Sequence, residues 1–363
     1  MKYRISPIDP IISRDARQFG AGSPMHALNW LTNTLIAGSV RTVLWKNSDD
    51  PNNKSTLDNL KKIRVSGVFP VLDNKIYFPK PLDIVKSATN IYQVKPRNFD
   101  ANTGANMPLD GLLPAFFDTD EEFKPEKLNA FWSRDLIIKW LNDGKNNFNF
   151  DEKETLAAPS HDERVHAAIN PKTGVSKDGD LFSTTGLDFV HKKGKNIFTH
   201  EQISVDIESN NLPEHFIASI GGERRLAEFS RNDNDKILWE YPKEILILSN
   251  KIRLVLATPA IFSKGWLPDW IDENNLTGTI PNTNTQVKLI SAIVDRWLPI
   301  SGWSYERGNA GPKPIRRAVP AGSVYFFEII EGNFDAEKIW LKSICTDEQN
   351  INDGFGLVLI GNW

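Results

Sequence analysis

Cysteine is almost missing: Cys345 is the single one in 363 residues. That excludes an internal disulfide framework and fits a reducing cytoplasm. Long apolar runs are missing too. No stretch approaches the roughly 20 residues needed to cross a bilayer. The first residues also lack a basic segment followed by a continuous apolar one, so neither a membrane partner nor export is expected. Strong net charge is absent: 43 Lys and Arg against 46 Asp and Glu leave -3. Such a balance argues against indiscriminate nucleic-acid binding but leaves room for local patches. No short-period repeat, nucleophile motif or polymerase-type acidic pattern occurs.

What is present is apolar mass. With 40% hydrophobic residues, 11 Trp and 20 Phe, the chain can pack two domains or one large one. Acids gather at Asp118, Asp120, Glu121, Glu122 and Glu126, and again over residues 151–154. Bases gather at Arg14 and Arg17, at His191, Lys192, Lys193 and Lys195, at Arg224, Arg225 and Arg231, and at Arg307, Lys313, Arg316 and Arg317. One basic face and several unrelated solvated loops both fit that distribution.

Residues 13–24, Ser-Arg-Asp-Ala-Arg-Gln-Phe-Gly-Ala-Gly-Ser-Pro, organise the rest of the reading. Upstream, residues 3–12 read as an extended segment interrupted by Pro7 and Pro10. Downstream, Ser23 suits an N-cap and Pro24 a first helical position, and Leu28, Leu31, Leu35, Ile36, Val40, Val43 and Leu44 follow helical spacing to about Trp45. A glycine loop entering a helix, with Arg14 and Arg17 beside it, can hold a phosphate or a carboxylate. A tight turn whose arginines pair with Asp15 fits equally. The loop lacks the third glycine of a dinucleotide fingerprint and the Gly-Lys-Ser/Thr of a P-loop, so neither cofactor site is supported.

Further along, a short helix is expected at residues 56–62, and residues 65–70 and 75–78 read as a hairpin turning on Asp73 and Asn74. Strand, helix, strand, strand is the first half of a ferredoxin-like unit. Residues 81–160 dissolve into prolines, asparagines and acids around one helix at 133–141. Extended runs follow at 164–169, 179–185, 216–220, 226–229, 245–248, 253–258, 287–294 and 324–329, with a helix at 336–343 and a glycine turn feeding a last apolar run.

For chemistry, His166 or His26 offers a general acid-base, but neither has a named partner. His161, Asp162, Glu163 and His166 suggest metal ligation, yet no second cluster supports it, so no metal and no cofactor are expected.

Several segments share one order. They are Arg14-Asp15-Ala16-Arg17-Gln18-Phe19-Gly20-Ala21-Gly22; Arg164-Val165-His166 with Thr173-Gly174 and Leu181-Phe182; and Gly221-Gly222-Glu223-Arg224-Arg225. Then come Ala257-Thr258-Pro259, Pro312-Lys313-Pro314, Arg316-Arg317 through Ser323, and Gly354-Phe355-Gly356 with Gly361. End to end this pattern resembles the third Cmr subunits of type III-B CRISPR effector complexes, in the RAMP superfamily. The resemblance implies an α+β fold of two ferredoxin-like, RRM-related domains. The first spans residues 1–205 with an insertion at about 81–160, and the second spans 206–363 with a glycine-rich loop.

It also implies a non-enzymatic RNA-binding scaffold in antiviral defence that grips the 5′ tag of the crRNA. The large polymerase-like Cmr subunit and the first backbone subunit would be its protein partners. The RNA-contacting residues it implies are Arg14, Arg17, Gln18, Phe19, Gly20 and Gly22; His166; Gly221, Gly222, Arg224 and Arg225; Lys313, Arg316 and Arg317; and Gly354 and Gly356. Phe19 stacks on a base or anchors the core. One of Arg224 and Arg225 is expected to pair with Glu223 or Glu228. A metal-independent endoribonuclease acting through His166 or His26, and a protein-only adaptor, are the rival readings.

Overall fold

The computed structural model of the chain describes residues 1–17, 25–51, 53–98, 104–119, 122–143, 148–192, 195, 197–304 and 310–363. In chain order its main elements are β1 (Lys2–Pro7), α1 (Asn33–Lys46), α2 (Lys54–Lys62), β2 (Val65–Leu72), β3 (Lys75–Pro79), β4 (Phe131–Ser133) and α3 (Arg134–Asp143). Next come β5 (Thr155–Leu156), β6 (Ser160–Ile169), β7 (Ser176–Asp188), β8 (Gln202–Ile207), β9 (His215–Ser219), β10 (Leu226–Arg231) and β11 (Lys251–Leu256). The chain ends with β12 (Thr277–Thr279), β13 (Gln286–Ile293), β14 (Val324–Glu331), α4 (Ala336–Ile339), α5 (Glu348–Asn352) and β15 (Val358–Asn362). The fold is α+β with antiparallel sheets. No helix among the described residues is long and apolar enough to cross a membrane.

Two compact units are woven from alternating segments. The first takes Met1–Asp73, Ala158–Asp233 and Leu298–Arg317, and the second takes Asn74–Ala157, Asn234–Trp297 and Ala318–Trp363. Residues 206–233, assigned above to a C-terminal domain, therefore supply β9 and β10 to the first unit, and residues 81–157 belong to the second.

In the first unit the strands lie in the order β9-β10-β1-β8-β2, each antiparallel to its neighbour. β1 and β2 are both antiparallel to β8, so they run parallel with β8 between them, and α1 makes the crossover, as in a split βαβ unit. Tyr3 and Ile5 alternate inward along β1 and are fully buried. They meet Ile36, Ala37, Val40 and Leu44 of α1, one stripe of that helix, together with Ile203, Val205 and Phe229. Burying each of the larger side chains contributes about 1.5–3 kcal/mol.

The sequence spacing predicts α1 from residue 23, but it begins at Asn33 behind an extended Thr32. The reason is local pairing. Asp15 N–H donates to the His26 carbonyl and Leu28 N–H to the Ser13 carbonyl, so residues 26–28 are spent as a strand partner for residues 13–15. Asn33 and Trp30 then satisfy a bulge in β2. There Gly67 and Val68 both have positive φ, the Asn33 amide donates to the Gly67 carbonyl, and the Trp30 indole donates to that of Val68. At the end of β2, Asp73 and Asn74 have φ of 51° and 62°, the left-handed pair that a two-residue hairpin turn requires.

In the second unit the strand order is β12-β13-β14-β11-β15, with β11 antiparallel to both β14 and β15. Residues 245–248, expected as a strand, join no ladder; side chains hold them instead. Leu246 N–H donates to Asn142 Oδ1, Leu248 N–H donates to Asn362 Oδ1, and the Asn362 amide donates to the Leu246 carbonyl. The helix expected over 336–343 stops at Ile339. Leu341 adopts φ 52° and gives its N–H to Val358, turning the chain alongside β15.

At the centre of this unit Arg253, on β11, is completely buried with Asp83. Its guanidinium pairs with the Asp83 carboxylate and donates to the Trp140 carbonyl. The Trp140 indole donates to the other carboxylate oxygen at 2.9 Å, and its ring centre lies 5.4 Å from the guanidinium carbon. Burial pulls the Arg253 guanidinium down and Asp83 opposes that pull. Arg253→Met strands a carboxylate in the core and is expected to cost about 3–5 kcal/mol in chemical denaturation. Arg253→Met with Asp83→Leu should recover most of that loss; an equally unstable double variant would show that the pair is not its source.

A second buried acid sits in the first unit. Glu201 is fully buried, 2.5 Å from His191 Nε2. Burial raises its carboxyl above the ordinary value of 4.5, partly offset by the histidine. A carboxyl with a raised folded-state pKa contributes stability that is fully present below the unfolded value and is lost as pH rises through the folded one. Unfolding free energy measured from pH 4 to 7 should therefore fall for the native chain relative to Glu201→Gln. Parallel curves would contradict that sign.

Candidate functional site

The site is built on residues 11–17. Ile11 exchanges backbone hydrogen bonds with Leu187 at the base of β7, at 3.0 and 2.8 Å. The Ile12 carbonyl accepts from Gly222 N–H at 3.2 Å. Ala16 N–H donates to the Pro299 carbonyl in the short strand Leu298–Ile300, which pairs with the strand Arg316–Ala318. Backbone hydrogen bonds thus tie the base of β7, the Gly221–Arg225 turn and the strand Leu298–Ile300 to one extended stretch of the first unit.

Gly221 makes the closest of these approaches possible. Its φ of 71° and ψ of -155° belong to a region that is essentially glycine's alone. A Cβ there would overlap the Ile12 carbonyl oxygen. The glycine pair thus provides close backbone approach, as its sequence suggests, and what approaches is the protein's own chain.

The arginines are arranged by acids. Asp15, only 5% exposed, accepts from the Arg17 backbone N–H at 2.9 Å and from its guanidinium at 2.6 Å. Arg14 Nη1 donates to the Arg17 carbonyl at 3.0 Å. The tight-turn alternative is therefore realised for Arg17, which keeps a 60% exposed side chain in a set orientation. Gln18, Phe19, Gly20 and Gly22, with Ser23 and Pro24, lie outside the described residues. Of the next pair, Arg225 is the one that binds Glu223, at 2.8 Å. Arg224 is exposed and makes no ion pair among the described residues. Lys313 and Arg317 are exposed and Arg316 is half-buried.

His166 lies on the ribbon formed by β6 and β7. Its ring stacks on its cross-strand partner Phe182 with centroids 5.1 Å apart and planes 17° apart, and its Nε2 is 2.8 Å from Thr184 Oγ1. Beside it Arg164 pairs with Asp162. Phe182 was visible in the sequence as part of a shared pattern, but its role as the histidine's stacking partner needed the ribbon register. No group of three or more His, Cys, Asp or Glu that could hold a metal occurs among the described residues.

Gly354 and Gly356 are placed differently from the rest. Both are buried in the second unit: the Gly354 carbonyl accepts from Thr258 Oγ1 at 2.8 Å, and Gly356 N–H donates to the Pro259 carbonyl. A Cβ on Gly356 would meet Cys345 Sγ at 2.6 Å. This loop is a packing turn without exposed surface for a ligand, which corrects the RNA-contact expectation for both glycines.

A further element had no sequence signal. Trp303 stands 56% exposed on the short strand Trp303–Ser304, paired with Gly311–Pro312 directly beside Lys313.

Comparison with known proteins identifies the family of the chain. Two cryo-EM structures of the type III-B Cmr-beta, one bound to cognate target RNA and one to that RNA and AMPPnP, contain a similar chain. In each case the identity is 14%, the TM-score 0.50, and the match covers 90% of this chain and 86% of the other. A chain of the Csm3-Csm4 subcomplex of a type III-A interference complex matches at 13% identity and a TM-score of 0.40, over 100% of this chain and 99% of that one. No curated protein matches. The model of the CRISPR-associated protein family Cas_Cmr3 matches residues 3–363, and the chain belongs to that family.

Proposed function

We propose that this chain is a non-catalytic RNA-binding subunit of a type III-B effector, the third Cmr subunit. In that role it grips the 5′ tag of the crRNA and docks on the large polymerase-like subunit and the first backbone subunit. Family membership supports the CRISPR assignment, and the fold is shared with a chain of RNA-bound Cmr complexes. The two units read as two ferredoxin-like RAMP domains. In that reading β10-β1-β8-β2 and β15-β11-β14-β13 each take the order fourth, first, third, second strand.

The observation that carries the proposal is that residues 11–17, which bear Arg14 and Arg17, are hydrogen-bonded to the Gly221–Arg225 turn, to the base of the ribbon that carries the His166–Phe182 stack, and to the strand Leu298–Ile300 that pairs with Arg316–Ala318. Exposed guanidinium and ammonium groups position phosphates, while a flat His–Phe pair offers a face to an unstacked base. A chain of net charge -3 binds in this way only where its geometry gathers cations.

Arg14→Ala, Lys313→Ala and Arg317→Ala are each expected to weaken binding of single-stranded RNA corresponding to the 5′ tag. Each lost charge-assisted contact is worth about 1.5–3 kcal/mol. Titrations over a range of salt should show the log-log slope shrinking by about 0.7 for each phosphate contact removed. Unchanged affinity and slope in all three variants would refute the proposal. Discrete cleavage products from RNA incubated with the chain in EDTA would instead favour the endoribonuclease reading.

A further inference from the structure

Trp303 has no explanation in the fold. Large tryptophans elsewhere are spent on packing: Trp132 and Trp140 are fully buried, and Trp340 is 3% exposed. Others on the surface find an acceptor for the indole N–H, as Trp45 does at the Pro51 carbonyl and Trp270 at the Ile344 carbonyl. Trp303 does neither. It is 56% exposed and, among the described residues, its ring stacks on no other and its N–H meets no acceptor.

Its backbone, by contrast, is held along one edge. Trp303 faces Pro312 across the short ladder, Lys313 N–H donates to the Gly302 carbonyl at 2.8 Å, and Ser301 Oγ donates to the Lys313 carbonyl at 2.6 Å. The result is a rigidly mounted aromatic face with an exposed ammonium stem one residue from its cross-strand partner. This short ladder lies between Leu298–Ile300 and Arg316–Ala318, the two paired strands to which the Arg14–Arg17 turn is tied.

From this we infer that Trp303 is a base-stacking residue: an unpaired nucleotide of single-stranded RNA lays its base on the indole while Lys313 takes a neighbouring phosphate. The inference rests on the RNA-binding reading above and adds a stacking contact that charge alone does not supply. RNA is favoured over a protein partner because the residues that follow the indole's cross-strand partner Pro312 are basic: Lys313 and Arg317 are exposed and Arg316 is half-buried. An aromatic platform flanked by phosphate donors is the composition of a single-strand binding surface.

The test uses the full chain and single-stranded RNA twelve nucleotides long, with the fluorescent adenine analogue 2-aminopurine placed at each position in turn. Trp303→Ala should weaken binding roughly 10- to 100-fold with the salt slope unchanged, because stacking releases no counterions. Trp303→Phe should keep most of the affinity, and fluorescence quenching at one position should vanish in Trp303→Ala. Lys313→Ala should instead change the slope. Native affinity and quenching in Trp303→Ala overturn the stacking role and leave the RNA-binding reading standing. No RNA binding by the native chain at low salt overturns that reading and the inference with it. Native RNA affinity combined with lost co-purification of other complex subunits in Trp303→Ala assigns the indole to a protein contact and also overturns the inference.

Discussion

Residue 221 holds a backbone conformation that suits only glycine, and a side chain there would run into the Ile12 carbonyl, so the route of residues 11–17 depends on a missing Cβ. The Gly222 N–H then fixes that same carbonyl, Leu187 fixes Ile11, and Pro299 fixes Ala16. Once the stretch is held at these points, its polar residues have little choice. Asp15 is carried into a buried position, where its carboxylate gathers the Arg17 N–H and guanidinium. A buried, uncompensated carboxylate would be costly, so the arginine is needed structurally before it is available to any ligand. Arg17 shows how one side chain can belong to the fold through one edge of its guanidinium and present the rest to solvent.

The second unit solves a similar problem with no exposed remainder. Arg253 and Asp83 are both inaccessible, and the Trp140 indole and carbonyl complete their hydrogen bonding. Such a pair is weak evidence for net stability, since two ions leave water to form it. What it does is set position. The guanidinium must meet both Asp83 and the Trp140 carbonyl, and that double requirement restricts where α3 can sit. The burial of Gly354 and Gly356 in this unit follows the same economy, because tight turns here serve packing and leave no surface for a ligand.

Much of this was legible in the chain, where local chemistry decides. The Asp73-Asn74 turn, the Glu223 partner of one arginine, and most strands of both units follow from short-range patterns. What could not be read depends on distant partners. Helical spacing is continuous from Leu28, yet residues 26–28 pair with 13–15 and delay α1 to Asn33. Residues 245–248 form a short apolar run like a strand but are claimed by Asn142 and Asn362, more than 100 positions away in one direction or the other. Gly354 and Gly356 resemble an open loop until Cys345 and Thr258 close over them. Trp303 was silent because tryptophan normally signals core, and only exposure separates a packing indole from a presented one.

The charge pattern then has a physical logic. Arg17, Arg164, Arg225 and Arg231 each have a carboxylate within 2.8 Å, so several of the chain's arginines are neutralised where they stand. Paired arginines give little long-range attraction, because the field of each ion pair falls off quickly in salt. They do give fixed donors, already oriented by their acids. A surface of this kind attracts polyanions less strongly than a uniformly basic face would. For the role proposed above, holding one defined end of one RNA strand, weak general attraction is an advantage, since the remaining affinity has to come from contacts that only a correctly placed nucleotide can make.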